Sequence, residues 1–403
     1  MKAVGLIVEY NPFHNGHHYH ATASKSQNDA DIVIAVMSGS FLQRGEPALV
    51  SKWARTAMAL QGGIDLVIEL PYIYSTQHAE HFASGAVRLL EAMRCDSFCF
   101  GSENGSLSTF TTVYQQMKQH ADDINAAIRR FTKMGNSYPK AASLAFDELG
   151  LRQEGGLDLT KPNNILGYQY VRAALDNNYR IRPSLINRIA AGYHDTELPE
   201  GSIASATSIR KALLDGQENQ ATAHFMPAYT YEELKKYLTH YSTLHHWELY
   251  WPFLQYRLIA ASADELAAIY EVEEGIQYRM KEAALTSATF AEFIAKVKTK
   301  RYTLTRLQRI CVHILTNAGK ERMKRCLTRD PYLRILGFTE NGRKYLSLHK
   351  KQIELPLVTK VSKLKHDALD LDLQAAAIHA LALPDEARLA LMAREYQHPA
   401  MML

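Results

Sequence analysis

The stretch Val4-Gly5-Leu6-Ile7-Val8-Glu9-Tyr10-Asn11-Pro12-Phe13-His14-Asn15-Gly16-His17 contains the transition on which the fold turns. Its opening residues are apolar without alternation, as expected of a strand covered on both faces in a parallel sheet. Glu9 ends the run far too early for a signal-peptide core or a membrane span. Asn11-Pro12 breaks the strand, and a helix is expected to start near Gly16, with His14 and His17 three positions apart on one face. Two further runs, Ile32–Met37 and Leu66–Ile68, have the same character, and Ser97–Phe100 and Leu185–Ile186 are weaker ones. Helical spacing separates them at Lys52–Gln61, closed by Gly62-Gly63, and at Ala79–Met93. Strand–helix alternation of this kind implies right-handed crossovers and an α/β fold with a doubly wound parallel sheet.

In such sheets ligands bind beyond the carboxyl ends of the strands. The residues to inspect are therefore Glu9–His20, Ser38–Pro47, Pro71–Gln77 and Gly101–Asn104.

With 403 residues and a prior of roughly 100–200 residues per domain, two domains are expected. Residues 1–220 carry the strand–helix alternation. Residues 221–403 read as a mainly α-helical domain from the amphipathic segments Tyr231–Leu238, Ala263–Lys281 and Phe290–Lys298, with a small sheet of its own near Tyr332–Phe338 and Val358–Val361. The 47% hydrophobic and 22% charged composition predicts order nearly throughout. Four cysteines with no Cys-x-x-Cys spacing fit a reducing compartment, so the expected location is cytoplasmic, with no membrane association.

Five motifs carry chemistry. His14-Asn15-Gly16-His17 would set two imidazoles at a helix N-terminus, where anions are favoured, and N–H donors there can stabilise charge on α,β-bridging oxygens as pyrophosphate leaves. The competing readings are a solvated helix start, or a metal site at His17, His18 and His20; no cysteine or carboxylate pattern supports the metal, and none is expected. Ser38-Gly39-Ser40-Phe41-Leu42-Gln43-Arg44-Gly45-Glu46-Pro47 is either a polar loop or an anion-embracing strand end, with Lys52 and Arg55 on the following helix. Gly101-Ser102-Glu103-Asn104 admits close backbone approach and is otherwise a turn. Lys161-Pro162-Asn163-Asn164-Ile165-Leu166-Gly167 by itself reads as a capped helix start. Ser205-Ala206-Thr207-Ser208-Ile209-Arg210-Lys211 joins hydroxyls, a fresh helix N-terminus and two cations, a fit for β,γ-phosphates or a solvated cap.

Together these motifs resemble the nucleotidyltransferase superfamily, with its His-x-Gly-His motif at His14–His17 and a Ser-Ser-Thr-x-x-Arg-like motif at Ser205–Arg210, where Ala206 replaces the middle serine. More closely, Val8–His17, Ser38–Pro47, Lys161–Gly167 and Ala190-Ala191-Gly192-Tyr193-His194-Asp195 resemble the bacterial tRNA(Met) cytidine acetate ligase family over roughly the first half of the chain. The resemblance implies a Rossmann-like nucleotidyltransferase domain in which ATP and acetate form acetyl-adenylate. The wobble cytidine of elongator tRNA(Met) then attacks it to give N4-acetylcytidine. It implies that the nucleotide is held by Ile7, Val8, Glu9, Tyr10, Asn11, Pro12, Phe13, His14, Asn15, Gly16, His17, His18, Tyr19 and His20, with Gly101, Asn163 and Arg188. Ser205, Thr207 and Arg210 are added from the fifth motif. His14 and His17 are the expected catalytic donors, Arg44 and Lys52 the expected charge-neutralising groups, and Mg2+ the expected companion of ATP. The alternatives are a small-molecule nucleotidyltransferase and a non-catalytic RNA-binding factor.

Net charge is only +4, yet between Lys296 and Arg329 eleven Lys or Arg residues face one acidic residue, Glu321. Such a run is either a set of solvated helix faces or a footprint for an RNA backbone. Lys298, Lys300, Arg301, Arg306, Arg309, Lys324 and Arg325 are the expected tRNA contacts, with Tyr302 as a stacking platform.

Overall fold

The computed structural model describes residues 1–136, 138–151, 157–159, 161–187, 201–216 and 222–403. The first half runs β1 (Ala3–Val8), α1 (Asn15–Gln27), β2 (Ile32–Ser38), α2 (Lys52–Gln61), β3 (Leu66–Leu70), α3 (Tyr72–Ser75), α4 (Ala79–Ala92), β4 (Ser97–Ser102), α5 (Leu107–Gln119), α6 (Ala121–Lys133), α7 (Tyr138–Glu148), α8 (Pro162–Asp176), β5 (Arg182–Asn187) and α9 (Ala206–Leu214). Every residue of β2 and β3 is buried, as unalternating apolar runs require. Strands β1 to β5 are parallel, in the order β5-β4-β1-β2-β3. Chain order reverses on either side of β1: β2 lies on one flank and β4 on the other. A crevice therefore opens at the carboxyl ends of β1 and β4, the switch point of the sheet.

Tyr332–Phe338 and Val358 do not form a sheet of their own. Strand β6 (Leu333–Phe338) joins the edge of the main sheet antiparallel to β3, β7 (Leu357–Val358) pairs beyond it, and β8 (Met401–Met402) also pairs with β6. The reason is burial: β6 is covered along almost its whole length, which a two-stranded ribbon in water could not achieve. The second half is otherwise helical. The expected single helix Ala263–Lys281 is two, Ala263–Ala267 and Ile276–Leu285, separated by positive φ at Glu274 and Gly275. The principal apolar core draws on both halves, joining Ile34 and Phe98 to Trp251 and Ile310.

At the β3–β6 edge lies a buried quartet of charges. Glu69 and Arg334 are cross-strand partners in register. Lys52 of α2 bonds Glu69 (2.8 Å) and Glu395 (2.8 Å), while Arg334 bonds the same two carboxylates at 3.0 and 2.8 Å; none of the four side chains is more than 5% exposed. The Trp53 indole N–H donates to the second Glu395 oxygen (2.9 Å). Two cations thus face two anions, and residues separated by over three hundred positions are locked together. Removing one member leaves a buried charge unpaired, at a typical cost of about 3–5 kcal/mol. Glu395→Gln should lower the urea midpoint accordingly, read by tryptophan fluorescence.

Three histidines are buried without charge. His379 donates Nε2–H to the Ala48 carbonyl (2.8 Å) and stacks on His245 at 3.8 Å, and His313 meets the Tyr72 hydroxyl at 2.8 Å. Burial pulls His313 and His379 down to about 3, and His245 well below its usual value. The unfolded chain takes up these protons below about pH 6.5, whereas the folded chain does not. Their stabilising contribution is therefore complete above pH 6.5 and is lost as pH falls toward 3, by up to about 1.4 kcal/mol per pH unit for each group. Urea titrations between pH 7.5 and 5.5 should show this slope, and His379→Asn should make it shallower.

Candidate functional site

The crevice at the switch point is a cleft of about 260 Å³. Its floor is the end of β1, its sides the starts of α1 and α9, and its far wall comes from β4, β5 and α8. Phe13, fully buried, plugs the turn after β1: a Cβ on Gly62 would stand 2.5 Å from its ring. Asn11, also buried, accepts from the Leu49 amide (2.7 Å). The turn is thereby fixed from below, and α1 starts at one angle.

His14 is the N-cap of α1. Its Nδ1 accepts from the Gly16 amide (3.0 Å), and the His17 Nδ1 accepts from the His14 amide (3.3 Å), forming a reciprocal capping box. The two rings stack at 3.7 Å. An imidazole whose Nδ1 accepts a hydrogen bond is neutral and carries its proton on Nε2. The pair therefore presents two Nε2–H donors side by side at the cleft. The Gly16 and His17 amides are already committed to His14, so the imidazoles, more than the backbone amides, provide the donors here. A Cβ on Gly16 would lie 2.9 Å from the His14 ring.

The rest of the site is assembled from separate elements. Ser205 caps α9, accepting from the Ser208 amide (3.0 Å). One turn on, Arg210 donates to the Asn11 carbonyl (3.1 Å) and pairs with Glu46 (3.1 Å). Glu103 caps α8 by accepting from the Asn163 and Asn164 amides (3.2 and 3.0 Å). Asn164 is buried in that turn, while Asn163 faces the cleft. The Gln43 amide donates to Glu9 Oε1 (2.8 Å). Burial is the main influence on the Glu9 carboxyl and pushes it up, against the lowering effect of that amide.

Most of the residues expected from the sequence converge. Ile7, Val8, Glu9, Tyr10, Asn11, His14, Gly16, His17, Tyr19 and His20 line the cleft with Arg44, Gly101, Asn163, Ser205, Thr207 and Arg210. Others are brought elsewhere. Pro12 and Phe13 shape the turn, Asn15 anchors the carbonyls of Ser202 and His224 (2.9 and 3.0 Å), and His18 lies by Tyr229. Arg188 and Ala190–Asp195 lie outside the described residues. Lys52 is not a cleft group: it is sealed in the buried quartet, where both its carboxylate partners are off the cleft. Arg55, the other cation on α2, is fully buried and clamps the strand ends, donating to the carbonyls of Glu9 (2.7 Å), Ser38 (2.9 Å) and Gly39. Burial lowers it to about 10.

The lining also contains Gln43, Glu46 and an apolar wall of Phe82, Phe100, Leu166 and Tyr170. Nothing in the sequence separates those four from ordinary core positions, because helical and strand periodicity mark burial whether the cover is protein or ligand. Ile186 and Asn187, at the end of β5, follow the strand-end rule and could have been found by it.

The loop bearing Arg44 and Glu46 is held by the second half of the chain. Gly45, at φ 75°, lies so close to helix Leu304–Leu315 that any Cβ would strike the Arg309 backbone. The Trp247 indole donates to its carbonyl (3.0 Å), and the His245 amide donates to Leu49 (2.9 Å).

A parallel sheet with paired histidine donors and converging arginines at its switch point defines a nucleotide-handling α/β enzyme, and residues 1–392 match the HIGH Nucleotidyl Transferase family. Within that class the chain belongs to the tRNA(Met) cytidine acetate ligase family. It is 50% identical to the tRNA(Met) cytidine acetate ligase of Bacillus subtilis (strain 168), over 99% of this chain and 96% of the relative. The enzyme of the same name from Geobacillus sp. (strain WCH70) is 49% identical over the full length of both. The crystal structure of apo Thermotoga maritima TmcAL superposes with a TM-score of 0.93 at 33% identity, and that of the same protein bound with alpha-thio ATP with 0.90, each covering both chains entirely.

Gly16→Ala should push the His14 ring out of its stack and slow nucleotide chemistry on the order of ten- to a hundredfold, while the melting temperature stays within a few degrees. Stopped-assay kinetics beside a thermal melt separates the two.

Proposed function

We propose that this chain activates acetate with ATP, releasing pyrophosphate, and transfers the acetyl group to N4 of the wobble cytidine of elongator tRNA(Met), making N4-acetylcytidine. The observation that carries the reading is the stacked pair of Nε2–H donors of His14 and His17, lining the same cleft as Arg44 and Arg210 at the switch point. An acetate oxygen attacking the α-phosphate drives negative charge onto the bridging oxygen of the leaving pyrophosphate. Neutral, preoriented N–H donors and nearby guanidinium groups stabilise that charge without reorganising. No protein nucleophile is needed, since acetate is itself the nucleophile and positioning supplies the remainder.

In this reading the triphosphate lies along His14, His17, Ser205 and Arg210, and the adenosine toward Gly101, Asn163 and the end of β5. Among the described residues no group of three or more His, Cys, Asp or Glu side chains could hold a metal ion. That suits Mg2+, which is commonly held by substrate phosphates and water with few protein ligands, and would add charge neutralisation there. We place the enzyme in the cytoplasm with its tRNA, where its four buried cysteines would stay free thiols.

The basic run divides in three dimensions. Arg309 pairs with Glu271 (3.0 Å) and is nearly buried; Arg306 pairs with Glu273 (3.3 Å) and covers Tyr302; Arg325 pairs with Asp367 (2.7 Å). Tyr302 itself is buried, donating to the Glu273 carbonyl (2.8 Å), so it is no stacking platform. Lys298, Lys300 and Arg301 are exposed and make no ion pair with a described residue, and Lys324 is exposed beside Glu321. We propose that the first three hold the tRNA backbone, while Arg306 and Arg309 serve the fold.

Acetate-dependent ATP–pyrophosphate exchange followed by acetylation of elongator tRNA(Met) tests the activity. Exchange without acetate, with nucleotide retained on a metabolite, or RNA binding without ATP affinity, would each replace it. Lys298→Ala/Lys300→Ala/Arg301→Ala should weaken tRNA binding and reduce the slope of log affinity against log salt by about 2–3. Filter binding at several salt concentrations reads both.

A further inference from the structure

We propose that Glu9 is the proton acceptor of the acetyl-transfer step, taking a proton from the exocyclic amine of cytidine as that amine attacks the acyl-adenylate. The proposal rests on the function given above. It stands on the position of one carboxylate and on the hydrogen bonds that commit Glu46, His14 and His17 beside it.

Glu9 ends β1, in the floor of the cleft. Its backbone carbonyl is held by Arg55 (2.7 Å), and its Oε1 by the Gln43 amide (2.8 Å). Gln43 is in turn fixed by its side-chain bond to the Gln77 carbonyl (2.8 Å). The second carboxylate oxygen accepts no hydrogen bond from a described residue. One oxygen is thus pinned and the other is left for the cleft.

Among the described residues two carboxylates line this cleft, and Glu46 is engaged by Arg210 (3.1 Å). His14 and His17 use Nδ1 to accept backbone amides, so each holds its proton on Nε2 and can donate there but not accept. The phenols of Tyr10 and Tyr170 are pushed up by burial and stay protonated. Of the two described carboxylates, Glu9 keeps an oxygen toward the cleft, and burial makes it a stronger base than usual.

A carboxylate in the floor of a polyphosphate site opposes anion binding, so the first half-reaction gains nothing from it. The second half-reaction does. The cytidine amine is conjugated with its ring and attacks weakly. As its nitrogen bonds the acyl carbon, the bond from that carbon to the adenylate oxygen breaks, the electron pair leaves with AMP, and the amine proton moves to Glu9 Oε2. General-base help of this kind is typically worth about 10²–10⁴-fold.

The test separates the half-reactions. Glu9→Gln keeps an oxygen to accept the Gln43 amide, so single-turnover acetyl transfer to tRNA(Met) should fall at least about a hundredfold, and at least about tenfold further than any fall in acetate-dependent ATP–pyrophosphate exchange. Glu9→Asp, which retains the carboxylate, should transfer faster than the glutamine variant. Equal loss of both half-reactions in either variant, or full transfer by Glu9→Gln, overturns the role. So does His20→Asn showing this split in place of Glu9→Gln, because His20 lines the same cleft. Wild-type protein that acetylates no tRNA overturns the function beneath the proposal, and is distinguished from these results by that control alone.

Discussion

Two positive and two negative side chains closed off from water at the β3–β6 edge hold the two ends of this chain in one body. Lys52 and Glu69 come from the first seventy residues, Arg334 and Glu395 from the last seventy. Each charge would be costly to bury alone, and a pair is offset only when geometry and further hydrogen bonds are favourable. Here each cation touches both carboxylates, and Trp53 takes up an otherwise unused oxygen of Glu395. The arrangement is satisfied in only one relative placement of α2, β3, β6 and the helix Asp385–Gln397. That placement orients everything α2 carries, including Arg55.

From Arg55 the constraint passes directly to the cleft. Its guanidinium gathers the carbonyls at the ends of β1 and β2, so the residues after those strands leave the sheet in set directions. The helical half adds its own hold through Arg309, Trp247, His245 and His379, all acting on the loop from Gly39 to Leu49. The cleft is therefore shaped from both halves, although its described lining belongs to the first.

The histidine pair shows how a local motif acquires its chemistry. Spacing places two imidazoles on one face of a helix start; the capping box decides their protonation. Because both Nδ1 atoms accept backbone amides, both rings become neutral donors at Nε2, suited to charge that develops late in a reaction. The same commitment removes them as bases, which is why a carboxylate on the neighbouring strand end matters.

The amino-acid sequence by itself determined the sheet and the position of the site. Unalternating apolar runs can be satisfied only by cover on both faces, and β1 to β5 form where those runs lie. Strand ends then pointed to His14, His17, Arg44 and Gly101, since a doubly wound sheet has its crevice there, while Asn163 came from the family resemblance and Arg210 from the helix-start motif at Ser205–Lys211. What tertiary structure alone decided is the fate of charge and of edges. Lys52 reads as a phosphate contact because it follows an anion-like loop, yet Glu69 and, from far along the chain, Glu395 claim it. The basic run from Lys296 to Arg329 reads as unopposed because its counter-charges, Glu271, Glu273 and Asp367, lie outside it in sequence and beside it in space. β6 reads as part of a separate sheet because hydrogen bonding to β3 spans more than 260 positions. Periodicity reports what a residue's immediate neighbours demand; Coulomb pairing and strand pairing act through space between distant positions, and only the folded chain states them.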